Sequence, residues 1–415
     1  MRLFRKHRDN RRLHMIGDEE RKRYMRNRKR QDTSKKVFKG LLRPAIHLFS
    51  LSLNIVFLVM LLLSGLATQI SPEVFVLPSY LSLAFSLLVI INILYVILWV
   101  IRLKVHFIYS LFVLILLSTN IQNNFPLHIF SSGNKEKALE DKSGTDVTIM
   151  SFNVKLFNFY KKDQQGRNST IDYILSKKAD IVCIQEYGFY NDNSFLSKDE
   201  IDYFMRNEYP YEHTLYAMNS NKRSSYGIAL YSKYPIVRKG EVKYGSKYNL
   251  TSISDIEINN NNIIRVINCH LESNQFTGDD KKKMLETVKD TGKDKFSETT
   301  GLVTKKLSKA SKARAKQAEA ISSTIQNTNI PVIVCGDFND APASYTYKKI
   351  RGDLGDAFTS TSSGLGITYN ELPFWFRIDY ILHSKILIPY DFKIDKVELS
   401  DHYPISCKMH IPQAE

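Results

Sequence analysis

Six apolar runs in this chain end in side chains that can bind a cation or carry a proton. "SFNV" presents Asn153, "CIQE" Glu186, "NCHLE" His270, "VIVCGDFND" Asp337 and Asn339, "RIDY" Asp379, and "LSDHYPI" Asp401 and His402. Carboxylates and carboxamides are oxygen ligands for hard cations, and carboxylates and imidazoles move protons. A single polar ending is no more than a turn, and Gly336 with Asp-Phe-Asn would make one. Six in succession on adjacent strands would converge on one rim of a sheet.

Taken singly, several of these residues have plainer readings. His270 alone is a satisfied, partly buried histidine, Asp379 a strand-end ion pair with Arg377, and Asn153 a turn cap. Asp340, just before Ala341-Pro342, is expected only to cap a turn. Arg314 and Gln317 in "ARAKQAEA" sit at helical spacing. A solvated helix face is expected there, with bracing of the site as the other reading.

Strands must position these groups. Short β-like runs occur at 147–154, 180–186, 227–232, 251–258, 262–271, 331–339 and 377–384, and helical patterns at 168–179 and 309–326. Some runs alternate and others are continuously apolar, which implies a mixed sheet covered by helices on its outer face. Residues 273–308, rich in Lys, Asp, Thr and Gly, read as a mobile insertion, either a functional lid or plain disorder.

The chain of 415 residues has a formal charge of +16, but the charge is not spread evenly. Residues 1–43 hold 17 Lys and Arg against 5 Asp and Glu, and only +3 falls on residues 123–415. A nucleic-acid partner therefore does not follow from the charge; the excess is a basic tail. Three apolar stretches follow it, at 45–67, 74–101 and 105–121. The first is free of charge over roughly the ~20 residues that a bilayer requires. Three transmembrane helices are expected over 44–122, after a basic cytoplasmic tail (1–43) and before a polar linker (123–145). The tail, together with Arg102 and Lys104 in the second loop, puts those segments in the cytoplasm. Three crossings of a bacterial inner or cell membrane then leave the rest extracytoplasmic, with the lipid bilayer as a partner. Cys183, Cys269, Cys335 and Cys407 are far apart and mostly within apolar runs. They read as buried small hydrophobes, which argues mildly against an oxidising exterior.

Over roughly 146–411, the ordered set "MSFNV", "IQE", "YGIALYSKYPI", "INCHLES", "GDFND", "RIDYIL", "SDHYPI" resembles the endonuclease/exonuclease/phosphatase superfamily of DNase I-like proteins. That superfamily includes nucleases, inositol-phosphate 5-phosphatases and neutral sphingomyelinases. The resemblance implies an α/β fold, a four-layer sandwich of two packed mixed β-sheets flanked by helices, as the catalytic domain of a hydrolase. It also implies a Mg²⁺ site, with Mn²⁺ as a substitute, held by Glu186 with Asn153 nearby. Asp401 would hold water or a second metal. By the same likeness Asp337 accepts the proton of the attacking water and Asn339 orients that water or the phosphate. His402 donates to a phosphate oxygen with Asp379 holding its ring, and His270 stabilises developing charge or the leaving group. A phosphodiester repels an anionic nucleophile, so fixed donors and a hard cation are what such a site needs.

The leading expectation is a membrane-anchored, metal-dependent phosphodiesterase whose substrate is a lipid headgroup or a nucleic acid. The alternatives are a DNase-like nuclease, with the Lys-rich insertion as its basic patch, and a catalytically idle membrane scaffold. "ELPFWFRID" (371–379), with Phe374, Trp375 and Phe376, is a candidate membrane-dipping loop or a packed one.

Overall fold

A strand that is apolar at nearly every position must be covered on both faces, and the strands here follow that rule. The computed structural model describes residues 17–127, 133–141, 143–192, 195–218, 223–259, 262–289, 293–371 and 375–413. Phe374 of the aromatic loop, the first sixteen residues of the tail and part of the 123–145 linker lie outside them. The described strands are β1 (Thr145–Asn153), β2 (Ile181–Tyr190), β3 (Tyr211–Tyr216), β4 (Ser224–Ser232), β5 (Ile236–Glu241), β6 (Leu250–Asn259), β7 (Asn262–His270), β8 (Val332–Asp337), β9 (Gly355–Asp356), β10 (Asp379–His383), β11 (Ile388–Ile394) and β12 (Ile405–Ile411).

They form two mixed six-stranded sheets, ordered β11-β12-β1-β2-β4-β3 and β5-β6-β7-β8-β10-β9. Only β1 with β2 and β7 with β8 run parallel; the other pairs are antiparallel. Val147, Ile149, Cys183, Leu230, Val266, Cys335, Ile381 and Cys407 fill the space between the sheets. The alternate residues Phe152, Val182 and Tyr231 face outward. Against them pack Ile171 and Ile174 of one helix (Ser169–Lys177) and Ile201 and Met205 of another (Lys198–Arg206). On the far side Ile267, Val334 and Leu382 meet Ala318 and Ile321 of a long helix and Tyr347 and Ile350 of a short one (Tyr345–Arg351). The result is the four-layer sandwich, helix, sheet, sheet, helix. All four cysteines are buried and unpaired, as expected of small hydrophobes.

Two expectations need correction. Residues 273–308, expected as a mobile insertion, are mostly helical where described: after an irregular 273–277 come Gly278–Lys289 and the first half of the 34-residue helix Lys293–Gln326. Helical periodicity was hidden by Lys and Thr on the solvent side. Five strands (β3, β5, β9, β11 and β12) fall outside the expected runs because they are edge strands or carry charges, as in "IVRKGE" and "ISCKMHI".

The N-terminal segment begins with α1 (Asp18–Leu66), followed by α2 (Leu77–Ser82), α3 (Phe85–Ile101), α4 (Phe107–Leu116) and α5 (Ser118–Asn124). Of these, Leu42–Leu66 is long and apolar enough to cross a membrane, while α3 and α4 are shorter apolar helices. The second expected span is interrupted, because a turn precedes Pro78 and the backbone breaks again at Leu83–Ala84. Buried polar groups tie the helices together. Asn54 Nδ2 donates to Ser110 Oγ (2.8 Å), Trp99 Nε1 donates to Asn54 Oδ1 (2.9 Å), and Ser110 Oγ donates to Asn92 Oδ1 (3.0 Å). Such a network, with each member satisfied, fixes one arrangement of the bundle.

The bundle also docks on the sandwich. Arg351 Nη1 donates to Asn123 Oδ1 (2.6 Å) and Arg377 Nη2 to the Asn123 carbonyl (2.7 Å). Glu73 pairs with Lys316 at 3.1 Å, and Ala343 packs into the bundle's own apolar cluster beside Leu61, Phe85 and Leu88.

Candidate active site

Parallel pairing brings the ends of neighbouring strands to the same rim, and here it does so in both sheets. Asn153 and Gln185 are partners across β1 and β2, so Glu186 follows directly beside Asn153. Asp337 is the register partner of His270 on one side and of Asp379 on the other. Beneath the rim Gln185 Nε2 donates to Asn268 Oδ1 (2.7 Å) and Asn268 Nδ2 to the Ala229 carbonyl (3.0 Å), which pins the two sheets together under the site.

Two side chains are aimed by backbone conformations that L-residues rarely adopt. Glu186 has φ 48° where β2 and β4 slip register between Ile184 and Tyr187, and Asn339 has φ 52° just past β8. A bulge of this kind re-aims a side chain out of the ladder, and such strain persists only where surrounding structure over-determines it. A third is a left-handed turn over Lys155–Tyr160, all six residues with φ between 45° and 62°. It costs roughly 1–2 kcal/mol per residue. It is held by buried Phe157, whose carbonyl accepts from Asn168 Nδ2 (3.0 Å), and it delivers Lys155 to the rim.

Asn153 Nδ2 donates to Glu186 Oε1 (3.2 Å) and to Asp337 Oδ2 (3.0 Å), bridging the two carboxylates. Asp337 also accepts from the Asn339 backbone N–H (2.8 Å) and from Asn339 Nδ2 (3.2 Å). His402 Nδ1 lies 2.9 Å from Asp379 Oδ2, while its Nε2 faces Asp337 Oδ2 at 3.7 Å. His270 Nδ1 meets the Tyr226 hydroxyl at 3.2 Å, and its Nε2 stands 3.9 Å from both Glu186 and Asp337 with no hydrogen-bond partner. Asp401 instead takes an ion pair from Lys155 (2.9 Å) and a hydrogen bond from Ser400 Oγ (3.2 Å).

Burial drives the titration of this cluster, and neighbouring charges decide which group wins. Burial pushes the Glu186 carboxyl above the usual range, and His402 opposes it. Asp337 is likewise raised by burial against the pull of His402. For His402 burial would lower the pKa, but Asp379 and Asp337 outweigh it and hold the ring cationic up to about 10. His270 is driven down to about 3 by burial and by His402, so it is neutral. Burial would raise Asp401, but His402 and Lys155 keep its carboxyl below the usual range. The arrangement holds one cationic imidazole, one neutral imidazole with an open nitrogen, the Lys155–Asp401 ion pair, and two carboxylates whose charged form burial disfavours.

A divalent cation would offset that penalty. Glu186 lines the cleft, accepts a hydrogen bond from Asn153, and stands 3.9 Å from the orphaned His270 Nε2. Oxygen donors beside room for water are what Mg²⁺ prefers. Asp337, Asp379 and His402 also have ligand atoms within 4.8 Å of one another. However, the Asp379 to His402 hydrogen bond already uses the facing lone pair and ring nitrogen, so Glu186 with Asn153 beside it is the better seat.

Residues 150–402, well over half of the chain, match the Endonuclease/Exonuclease/phosphatase family. The chain belongs to that family. The endonuclease/exonuclease/phosphatase family includes phosphodiesterases, nucleases and phosphatases, which act on phosphoester bonds and typically use a divalent metal. Residues 46–124 match a domain of unknown function (DUF8431). No curated protein matches the chain.

Solved structures similar to this chain include sphingomyelinase C from Streptomyces griseocarneus, with 16% identity, 64% of this chain and 99% of that one covered, and TM-score 0.43. The human Nocturnin catalytic domain with bound sulfate is 18% identical over 64% and 94% of the two chains, with TM-score 0.42. A family protein from Bacteroides thetaiotaomicron is 16% identical over 65% and 98%, with TM-score 0.41.

Three side chains receive different places from those expected. Arg314 is 1% exposed and braces the site: its Nη1 donates to the Glu272 carbonyl (2.8 Å) and to Asn274 Oδ1 (3.0 Å), and its Nε to Asp340 (3.2 Å). Gln317 joins it by accepting from the Glu272 N–H (2.9 Å), so this helix face is buried rather than solvated. Asp340 does more than cap a turn, since it also accepts from Thr346 Oγ1 (2.8 Å). Arg377 pairs with Asp356 (2.7 Å), which leaves Asp379 to His402.

Sequence reasoning passed over Tyr226, which orients His270, and Tyr369, whose ring meets His402 edge-on at 5.0 Å. Tyr226 stands in the quoted "YGIALYS", so its position was signalled although its role was not. Lys155 and Glu371 had no signal, because their pairing crosses distant loops.

Proposed function

We propose that the chain is a membrane-anchored, divalent-metal-dependent phosphodiesterase. The observation that carries this reading is the convergence of Asn153, Glu186, His270, Asp337, Asn339, Asp379 and His402, each within 4 Å of another member, at one end of the two packed sheets rather than on the rim of a single sheet. Glu186, with Asn153 beside it, would hold Mg²⁺ or Mn²⁺; when bound, the ion polarises the phosphoryl oxygens and offsets their charge. Asp337 takes a proton from the attacking water, which Asn339 orients. The water oxygen bonds to phosphorus as the P–O bond to the leaving group breaks; the departing oxygen takes a proton from solvent, and Asp337 returns its own proton to solvent. His402, kept cationic by Asp379, donates to a non-bridging oxygen, and His270 Nε2 faces the developing charge. Asp401 with Lys155 places an ammonium beside the phosphate. Hydrolysis is expected to need Mg²⁺ or Mn²⁺ and to vanish with chelator. Glu186→Gln is expected to raise the metal concentration for half-maximal rate by ~10-fold or more. Chelator-resistant turnover would overturn the mechanism, and an idle scaffold would show no turnover at all.

The exposed apolar belt of the bundle, with Phe49, Leu94, Phe112 and Ile115 each about half or more exposed, supports a bilayer as its environment. The basic tail and the α3–α4 loop, with Arg102 and Lys104, then lie in the cytoplasm and the sandwich outside it. Protease added to intact spheroplasts is expected to digest residues 133–413; protection until the membrane is breached would reverse the orientation.

A nuclease would need free positive charge around the cleft. In the Lys-rich segment Lys281 pairs with Glu371, Lys283 with Glu298, Lys306 with Asp280 and Lys316 with Glu73, which leaves the exposed Lys282, Lys305, Lys309 and Lys312 as candidates for such a patch.

A further inference from the structure

The cleft over the rim has a volume of about 530 Å³ and is lined by two unlike sets of side chains. One is the polar cluster described above, with Lys155, Glu186, Asp337, Asn339, Asp401 and His402. The other is apolar and is built largely by segments outside the sandwich. Phe276, Met284 and Leu307 come from the insertion, Phe376 from the aromatic loop, and Leu83 from the N-terminal bundle, between α2 and α3. A phosphodiester needs no apolar wall, so this set must serve another part of the substrate.

The bundle holds Leu83 there firmly. Tyr80 Oη donates to the Thr304 carbonyl (3.1 Å), Glu73 pairs with Lys316 (3.1 Å), and Asn123 is clamped by Arg351 and Arg377. Leu83 and Phe376 also line a second small cleft together with Ser86 and Trp375, which is 61% exposed. Leu87, Ile90, Leu94, Ile97 and Ile101 then follow along α3 at alternating spacings of three and four. All five are exposed, from 49% to 75%. That spacing puts them on one side of the helix. An unpartnered apolar stripe therefore begins one turn after the residue that walls the catalytic cleft.

We propose that the substrate is a phosphodiester lipid with a long hydrocarbon chain, and that Leu83, Phe276, Met284, Leu307 and Phe376 form its chain-binding subsite, continuous with the apolar face of α3. This assignment rests on the phosphodiesterase reading and adds to it the part of the substrate that the catalytic groups do not touch. The bundle is then both the anchor and one wall of the site. A lipid in the same bilayer slides along α3 until its phosphate reaches Glu186 and His402, and need not leave the membrane as a free monomer.

The test uses the full chain in detergent micelles with Mg²⁺. Its substrates are phosphatidylcholine, phosphatidylglycerol and sphingomyelin, each with 6-carbon and 16-carbon acyl chains, alongside bis(p-nitrophenyl) phosphate and plasmid DNA. For at least one headgroup, kcat/KM is expected to be at least about tenfold higher with the long chains. Leu83→Lys is expected to cut the long-to-short ratio at least about fivefold, and so is Met284→Lys, a partly exposed position that carries no folding risk to the bundle. Equal rates for both chain lengths, an unchanged ratio in both variants, or cleavage of plasmid DNA in preference to every lipid would overturn the proposal while leaving the phosphodiesterase reading intact. No metal-dependent cleavage of any of these substrates would overturn both.

Discussion

Asp337→Asn is expected to lower metal-dependent phosphodiester hydrolysis by roughly 10²–10⁴-fold, the range for removing a positioned general base, without unfolding the protein. The carboxylate is 1% exposed and accepts from the Asn339 N–H, Asn339 Nδ2 and Asn153 Nδ2. An amide of the same shape keeps one acceptor oxygen for those donors and cannot take the proton of water. Burial already disfavours the charged form of Asp337. The metal-free variant is therefore expected to melt at or above the temperature of the metal-free parent, while it loses the rate. Initial rates with saturating Mg²⁺ and thermal melts with chelator check both halves. Parent-like rates would remove Asp337 from the mechanism. Loss of rate accompanied by a much lower melting temperature would make its role structural.

The second large effect lies away from the chemistry. Arg377 is 4% exposed and its partner Asp356 1%. The two meet at 2.7 Å, Tyr347 Oη donates to the same carboxylate at 2.8 Å, and Arg377 Nη2 reaches the Asn123 carbonyl at 2.7 Å. The guanidinium also lies over Phe358 at 4.7 Å and Tyr380 at 4.9 Å. Removing one partner of a buried pair leaves the other uncompensated, at about 3–5 kcal/mol. Arg377→Ala is therefore expected to lower the melting temperature of the full chain by roughly 10 °C and to expose the junction between bundle and sandwich to protease. Lys135→Ala removes an exposed 3.4 Å pair with Asp391 and serves as the comparison. Its expected shift is under about 2 °C. A small shift for Arg377→Ala would mean that the junction does not depend on this pair.

Much of the fold is legible in the chain itself, and the legible strands share a cause. "VTIMSFN" and "VIVCGD" are apolar on both faces, so each had to be a covered strand wherever it lay in the sheet. Edge strands such as β5 carry Arg238 and Lys239 and need only one covered face, so their composition resembles that of a loop. The helix Lys293–Gln326 begins in a segment whose charges read as disorder; what commits it to a wall is contact with the cleft through Val303 and Leu307. A lone arginine on a helix is usually solvated, which is why the sequence points Arg314 to solvent. It is buried because Asp340, Asn274 and the Glu272 carbonyl, all from other segments, satisfy it.

The sequence by itself determined the chemistry available to this protein: which carboxylates, amides and imidazoles stand at strand ends, in what order, and that a basic, apolar N-terminal segment precedes them. These are local properties, legible because strand periodicity and residue type need no partner. Tertiary structure alone decided how those groups divide the work. That Asp379 meets His402 and not Arg377, that Asp401 takes an ion pair from Lys155, and that Leu83 lines the cleft all depend on pairings between segments tens to hundreds of residues apart. Charge and burial at one position are set by whatever is packed against it, and that is a property of the assembled fold.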